Sequence, residues 1–286
     1  MLNALTIDVE DYFHVSAFSG TVARSTWDSR ERRVVPNTLR LLELLAEERV
    51  KATFFVLGWV AAREPALVRE IARAGHEIAS HGFAHRLVYE QDRRTFGADL
   101  ARARAAIEDA AGLPVVGYRA PSFSVVPRSQ WALDVLAEQG YAYDASVYPI
   151  HHDRYGMPGA PRHPHLDRRP AGTLVEAPAT TVTIGPVTLP AAGGGYFRLY
   201  PYAATRWAIR RVNTVDGQPA IVYLHPWEID PRQPRLRAGL VSRFRHYVNL
   251  SRTEPRLRRL LREFRFAPLA DVLGRLGLLV PTRGVA

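Results

Sequence analysis

Cysteine is absent from the 286 residues, and Lys51 is the only lysine. The first absence removes disulfides and thiolate chemistry, so any bound metal has to be held by His, Asp or Glu. The second means that the net charge of +10 is almost wholly arginine, a bias that fits a GC-rich coding sequence as well as any function. No run of about 18 apolar residues occurs, so nothing reads as a membrane-spanning helix. The chain passes at once into a strand-like stretch, Ala4-Leu5-Thr6-Ile7, without the basic-then-apolar pattern of a signal peptide, and a cytoplasmic location is expected.

With 47% hydrophobic and 23% charged residues the chain can bury a large core, and its length suits one barrel or two ordinary domains. The first 150 residues alternate short β-branched or aromatic runs with longer helical patterns, which predicts an α/β fold of strands joined by crossover helices. Strands are expected at Leu5 to Val9, Ala52 to Leu57, Glu77 to Ala79 and Val115 to Tyr118. Between and after them, helices are expected at Asn37 to Glu48, opened by Pro36, and at Pro65 to Ala74, Arg93 to Ala111 and Arg128 to Glu138. From His151 to Pro170 the composition turns to His, Pro, Arg and Gly and reads as a long irregular loop. Short strands follow at Leu174 to Ala177, Thr180 to Ile184 and Val187 to Leu189, and a hydrophobic strand, Ala220 to Leu224, ends on His225.

The basic residues concentrate late, in Arg252, Arg256, Arg258, Arg259, Arg262 and Arg265, where Leu257, Leu260, Leu261 and Phe264 recur at helical spacing. That pattern predicts an amphipathic helix with a solvated face; peripheral contact with an anionic membrane or an acidic polymer is the other use of such cations. No motif of a known nucleic-acid reader accompanies the charge, so nucleic acid is not an expected partner.

Asp8, His81, Arg119 and His225 each fall at or just beyond the end of an expected strand. In α/β barrels those ends share one face, where catalytic groups gather. His81 and His85 are four apart, and on one helical turn their rings would point the same way and grip one ion. Asp8, Glu10 and Asp11 put three acids within four residues, a repulsion that a cation would relieve. Alternation places Asp8 and Glu10 on one face, which assigns Glu10 to the metal and Asp8 to its water, with Asp11 as the alternative ligand. Two imidazoles and one carboxylate leave an open position for water, the arrangement of catalytic zinc sites. Arg119, on a turn stiffened by Pro121, is a cation for Asp8, and the Ser122 amide beyond it could face a developing oxyanion. His225 could donate a proton if an acid favoured its imidazolium, and Asp144 and Glu228 are the two candidates. The remaining histidines, His14, His76, His151, His152, His163, His165 and His246, are expected in loops or at the surface.

Together these residues resemble, in motif order and spacing, the polysaccharide deacetylases of carbohydrate esterase family 4, the NodB-like proteins. Asp8 matches the family's base, and Glu10 looks like the second acid of an Asp-x-Asp variant. His81 and His85 match the His-x-x-x-His metal motif with Gly82 replacing Ser or Thr, Arg119 and Pro121 match Arg-x-Pro, and His225 stands at the histidine of the family's Leu-x-x-His motif. The resemblance implies that Arg119 orients Asp8, that the Ser122 N–H lines the oxyanion hole and that His225 is the general acid. The family's Asp-Trp motif is not matched, and Asp144 is a loose stand-in for it. Phrases such as Asp8-Val9-Glu10-Asp11-Tyr12-Phe13 and His225-Pro226-Trp227-Glu228 are similar to a narrower group associated with exosortase and exopolysaccharide clusters.

What the resemblance implies is a distorted (β/α)7-type barrel forming a single unit over residues 1–286, with a family-specific C-terminal extension at about 150–280. It implies a divalent metal, Zn2+, and removal of N-acetyl groups from amino sugars of a bacterial exopolysaccharide or its precursor; the expected cytoplasmic location would place that step before export, at the inner membrane surface. An O-acetyl ester or another small amide on the same site is the alternative target. A saccharide-binding barrel that has lost catalysis is the other alternative; it should lack motif residues, whereas Asp8, His81, His85, Arg119 and His225 are all present here.

Overall fold

The structure, a computed structural model, describes residues 1–191 and 193–279. The end of the expected single unit, residues 280–286, lies outside the described residues. Eleven strands occur in the described part: β1 (Leu2–Val9), β2 (Thr53–Val56), β3 (Glu77–Ser80), β4 (Gly117–Tyr118), β5 (Tyr143–Asp144), β6 (His165–Arg169), β7 (Gly172–Glu176), β8 (Thr181–Ile184), β9 (Val187–Pro190), β10 (Ile221–Leu224) and β11 (Arg265–Ala267). Nine of them form one sheet in the order β10-β1-β2-β3-β4-β5-β7-β6, with β11 also on β1. Every pairing in that sheet is parallel except the β6-β7 hairpin. The fold is thus mixed α/β around a mostly parallel sheet.

The helices are α1 (Val34–Glu47), α2 (Gly58–Arg63), α3 (Pro65–Arg73), α4 (Arg93–Ala111), α5 (Trp131–Glu138), α6 (Gly194–Leu199), α7 (Tyr202–Thr214), α8 (Leu240–Tyr247), α9 (Leu250–Glu263) and α10 (Leu269–Arg275). The α4 boundaries follow from local chemistry: Asp92 and Thr95 exchange capping bonds at its start, and Gly112, at φ 67°, ends it. Period-2 alternation sorts β1 into two faces. Leu5, Ile7 and Val9 join the large core under the helices, while Ala4 joins a smaller one with Phe55, Ala79, Tyr143, Ile221 and, from α10, Leu269 and Leu273.

The hydrogen-bonded strand order does not close into a ring among the described residues. The segment leaving β7 nevertheless reaches β10 at Thr180, four residues past β7: Ile221 N–H donates to the Thr180 hydroxyl (2.6 Å), which donates to Ile221 O (3.1 Å). A side chain there does the work of a ladder.

Some expectations shift. The expected irregular loop, His151 to Pro170, contains β6, whose pairing with β7 turns a run rich in Arg and Pro into a hairpin edge. α1 starts at Val34, before Pro36, because Asp11 caps it from another part of the chain; the segment from Arg128 is a short 3-10 turn before α5 begins at Trp131. His14, His76 and His246 are buried, not at the surface. His76 Nδ1 accepts from Ala52 N–H, and His246 Nε2 pairs with Gln233, so each has a polar partner that sequence spacing could not reveal.

Candidate active site

Because β1, β3, β4 and β10 run parallel, the residues just past their ends, Glu10, His81, Arg119 and His225, emerge at one rim. Thr6 and Asp8 share the inward face of β1 and are bound by the same nitrogen: Arg119 Nη1 donates to Thr6 Oγ1 (2.8 Å) and to Asp8 Oδ1 (2.7 Å). Both ends of that ion pair are buried, at 1% and 2% exposure, and Arg119 Nε also donates to Ala145 O. Such a pair fixes geometry more than it adds stability. It commits Asp8 Oδ1 and leaves Oδ2 facing His225, whose Nε2 is 3.9 Å away.

Glu10, His81 and His85 are all buried and offer one ligand atom each, mutually within 4.8 Å. The histidines achieve this without a helical turn. They sit on an extended loop in which Gly82 has φ 72° and His85 φ 47°, and the rings lie 5.5 Å apart at 68°. The first two amides of α2 hold this loop by donating to Gly82 O and Phe83 O, while Arg24 donates to Ala84 O and His85 O. Gly82 is there for conformation and room, since a Cβ would meet Asp99 Oδ2 at 3.1 Å.

His81 Nδ1 lies 2.8 Å from Arg119 O, an acceptor only, so it carries the proton and Nε2 is the free lone pair. Burial pushes the His81 pKa down to about 4, keeping the ring neutral as a ligand must be. Glu10 Oε2 stands 2.6 Å from His85 Nε2 without hydrogen-bond alignment, as two ligands of one ion would. Burial opposes ionisation of Glu10, but the imidazoles of His85, His225 and His81 outweigh it and hold the carboxyl well below its ordinary range. The donor set, two nitrogens and an oxygen with space for water, fits a divalent ion of the zinc class.

Asp11 lies outside this cluster. Its Oδ2 accepts from Arg33 N–H (2.7 Å) and Val34 N–H (2.9 Å) and its Oδ1 from Tyr12 N–H, so it caps α1 and is not available as the alternative ligand. Asp144 is likewise elsewhere: it accepts from Ser146 Oγ at 2.5 Å, and Ser146 Oγ in turn accepts from Ala120 N–H at 2.7 Å. It therefore steadies the turn after Arg119 and does not support His225. Ser122 follows at φ 53°, a left-handed conformation uncommon for a non-glycine residue, with its hydroxyl 2.8 Å from that of Ser16.

His225 is supported by Glu228, three residues on, whose Oε1 lies 2.6 Å from Nδ1. Glu228 is fully buried and its Oε2 accepts from Arg198 Nε at 2.6 Å, so the line runs Arg198, Glu228, His225. Burial disfavours the imidazolium, but the hydrogen bond and charge of Glu228, then Glu10 and Asp8, raise the His225 pKa to about 9. Trp227 was not among the expected site residues, yet its indole donates to Glu10 Oε1 (3.2 Å) and is sandwiched between His225 (5.0 Å, 22°) and His246 (4.2 Å, 15°). Arg198 was missed too; nothing local distinguishes it from the many other arginines.

Residues 18–143 match the family model described as Polysaccharide deacetylase. The chain carries a polysaccharide deacetylase domain of the NodB-like, carbohydrate esterase family 4 type. Residues 145–274 match a second model, a domain of unknown function, DUF3473. The chain is 33% identical over 141 residues to a chitooligosaccharide deacetylase of Sinorhizobium fredii, covering 48% of this chain and 62% of that protein. It is 29% identical over 103 residues to the peptidoglycan-N-acetylglucosamine deacetylase PgdA of Listeria monocytogenes, covering 33% and 22%. The matched stretches thus span less than two thirds of these relatives. Among solved structures, a putative polysaccharide deacetylase from Mycobacterium smegmatis superposes with a TM-score of 0.65 at 24% identity over 98% of this chain and 92% of that one. A family 4 carbohydrate esterase from Streptomyces lividans gives 0.51 at 16% over 93% and 91%. These likenesses establish the fold. The deacetylase match includes His81, His85 and Arg119, whereas Arg198, His225, Trp227 and Glu228 all lie in the DUF3473 region.

Proposed function

We propose that this protein is a metal-dependent hydrolase that removes N-acetyl groups from amino sugars. The observation that carries the reading is the convergence of Glu10, His81 and His85 beside the Asp8–Arg119 pair, with a cationic His225 less than 4 Å from both acids. A divalent ion held by Glu10, His81 and His85, zinc by its donor set, would polarise the acetyl carbonyl and acidify a water. Asp8 takes that water's proton on Oδ2, because Arg119 holds Oδ1. The amide of Ser122 is assigned to the developing oxyanion. His225 protonates the departing sugar nitrogen through Nε2, its Nδ1 being occupied by Glu228. Protonation matters more for an amine than for an alkoxide leaving group, which favours the amide over an O-acetyl ester.

The saccharide class is supported by the relatives, a chitooligosaccharide deacetylase and a peptidoglycan-N-acetylglucosamine deacetylase. An exopolysaccharide or its precursor, processed in the cytoplasm at the inner membrane surface, is our reading of its setting. The test is release of acetate from N-acetylglucosamine oligomers together with metal analysis. Wild-type protein should release acetate and hold about one equivalent of ion, and His81→Ala should do neither. Acetate release by metal-free protein, or full occupancy in His81→Ala, would sink the reading.

A further inference from the structure

The arginine-rich helix that the sequence singled out for contact with an acidic surface is largely neutralised. On α9, Arg258 and Arg262 pair with Glu47 and Glu48 of α1's end, Arg259 pairs with Glu263, and Leu250, Leu257 and Leu260 are buried. The neighbouring α8 is the opposite case. Its His246 is buried against Trp227, but Leu240, Val241 and Phe244 stand 81%, 64% and 59% exposed on the other side. Leu199 of α6, also exposed, lines the same small cavity as Phe244 and extends this apolar surface.

Residues 231–253 contain six arginines and no acid. Among the described residues, none of those arginines comes within 4.0 Å of a carboxylate. Arg243 and Arg245 are exposed on α8 itself, and Arg235 and Arg237 on the segment leading into it. An exposed apolar stripe this dense is uncommon on a surface that meets only water, and uncompensated cations beside it select what covers it. An acidic protein or polymer would satisfy the arginines but not bury Leu240, Val241 and Phe244. A surface that is apolar a few ångströms down and anionic above satisfies both.

We propose that α8 is a membrane-docking helix, which seats Leu240, Val241 and Phe244 in the interface of an anionic phospholipid bilayer with Arg237, Arg243 and Arg245 at the headgroups. No described helix is long and apolar enough to cross a membrane, so the contact is peripheral. Because α8 rests on Trp227 through His246, docking brings the bilayer close to the His225 side of the site. The inference depends on the surface alone and stands or falls separately from the chemistry proposed above.

The experiment is co-sedimentation of the full chain with vesicles of phosphatidylcholine alone or mixed with phosphatidylglycerol. The protein should sediment with the mixed vesicles, weakly with phosphatidylcholine, and less as salt is raised. The triple substitution Leu240→Ser, Val241→Ser, Phe244→Ser should weaken vesicle binding roughly tenfold or more. Arg243→Gln with Arg245→Gln should remove the preference for the anionic lipid, at roughly fivefold per cation. All variants should keep the wild-type thermal transition and acetate release from soluble oligomers. Failure of the wild type to bind mixed vesicles overturns the proposal, as does unchanged binding by the serine variant. So does a wild-type dimer that the serine variant dissolves, which would make the stripe an interface between two copies.

Discussion

Glu228 stands 2.6 Å from His225 Nδ1 with its other oxygen on Arg198, and this buried carboxylate lets an imidazole on an apolar strand hold a proton at neutral pH. The His225 pKa is raised to about 9, above the unfolded value of about 6.5. The associated stabilisation is therefore complete below about pH 6.5 and is lost as pH rises through about 9. Acid catalysis follows the same sign: the donor is present below that value, and kcat/KM falls on its alkaline side. Glu228→Gln should shift the alkaline limb to lower pH and reduce kcat/KM at pH 8 by about 10–100-fold. Stranding Arg198 should also cost about 3–5 kcal/mol of stability, read from urea unfolding. Loading a divalent ion takes up the charge of Glu10 and repels a proton on His225, so the limb should lie lower in loaded than in metal-free protein. Histidine NMR titrations with and without metal measure that difference.

The acids at the end of β1 separate three roles that the sequence could only pair. Asp8→Asn keeps the ligand set and should hold metal normally while turnover falls about 100–10,000-fold. Glu10→Gln should lower metal content. Asp11→Asn should bind metal as wild type but unfold about 1–3 kcal/mol more easily, because its single amide oxygen cannot serve both the Tyr12 N–H and the Arg33 and Val34 amides. Metal loss in Asp11→Asn with retention in Glu10→Gln would reverse the assignment.

Trp227 offers a test of positioning without removing a ligand. Trp227→Phe deletes the indole N–H on Glu10 Oε1 while keeping an aromatic ring between His225 and His246. Metal affinity should fall about 10–100-fold, as for other outer partners of ligands, and the activity lost should return with added metal. Unchanged affinity would leave Trp227 a packing residue.

The legible parts of this protein were those governed by period and strand ends. Alternation put Asp8 and Glu10 on one face, and apolar runs ending on His81, Arg119 and His225 marked the rim. The His81–His85 spacing led to the right neighbours through the wrong local structure, because a loop with left-handed residues at Gly82 and His85 can also converge two rings. Asp144 failed as a support because its oxygens serve Ser146, whereas Glu228 succeeded because the short turn Pro226–Ile229 folds it back to its own neighbour. Arg198 was illegible because its partners, Glu228, His246 O and Val248 O, are 30 to 50 residues distant in the chain. Only a contact map ranks one arginine above the others.

The two matched regions share a sheet, which bears on how the DUF3473 region is used. β1, which carries Asp8, pairs with β10 along Ala4 to Ile7 and with β11 along Leu2 to Ala4, both drawn from residues 145–274. Without that region β1 keeps only β2, loses β10 and β11, and bares an edge whose residues are buried in the whole chain, and Glu10 loses the indole donor of Trp227. Residues 1–144 produced alone should therefore be insoluble, or show helical far-UV signal without near-UV signal, and should bind no ion stoichiometrically. The full chain should instead unfold in one transition by both probes. If residues 1–144 unfold cooperatively and hold an ion, the extension is an addition to a complete metal-binding unit, and its contribution narrows to His225 and the groups that hold it.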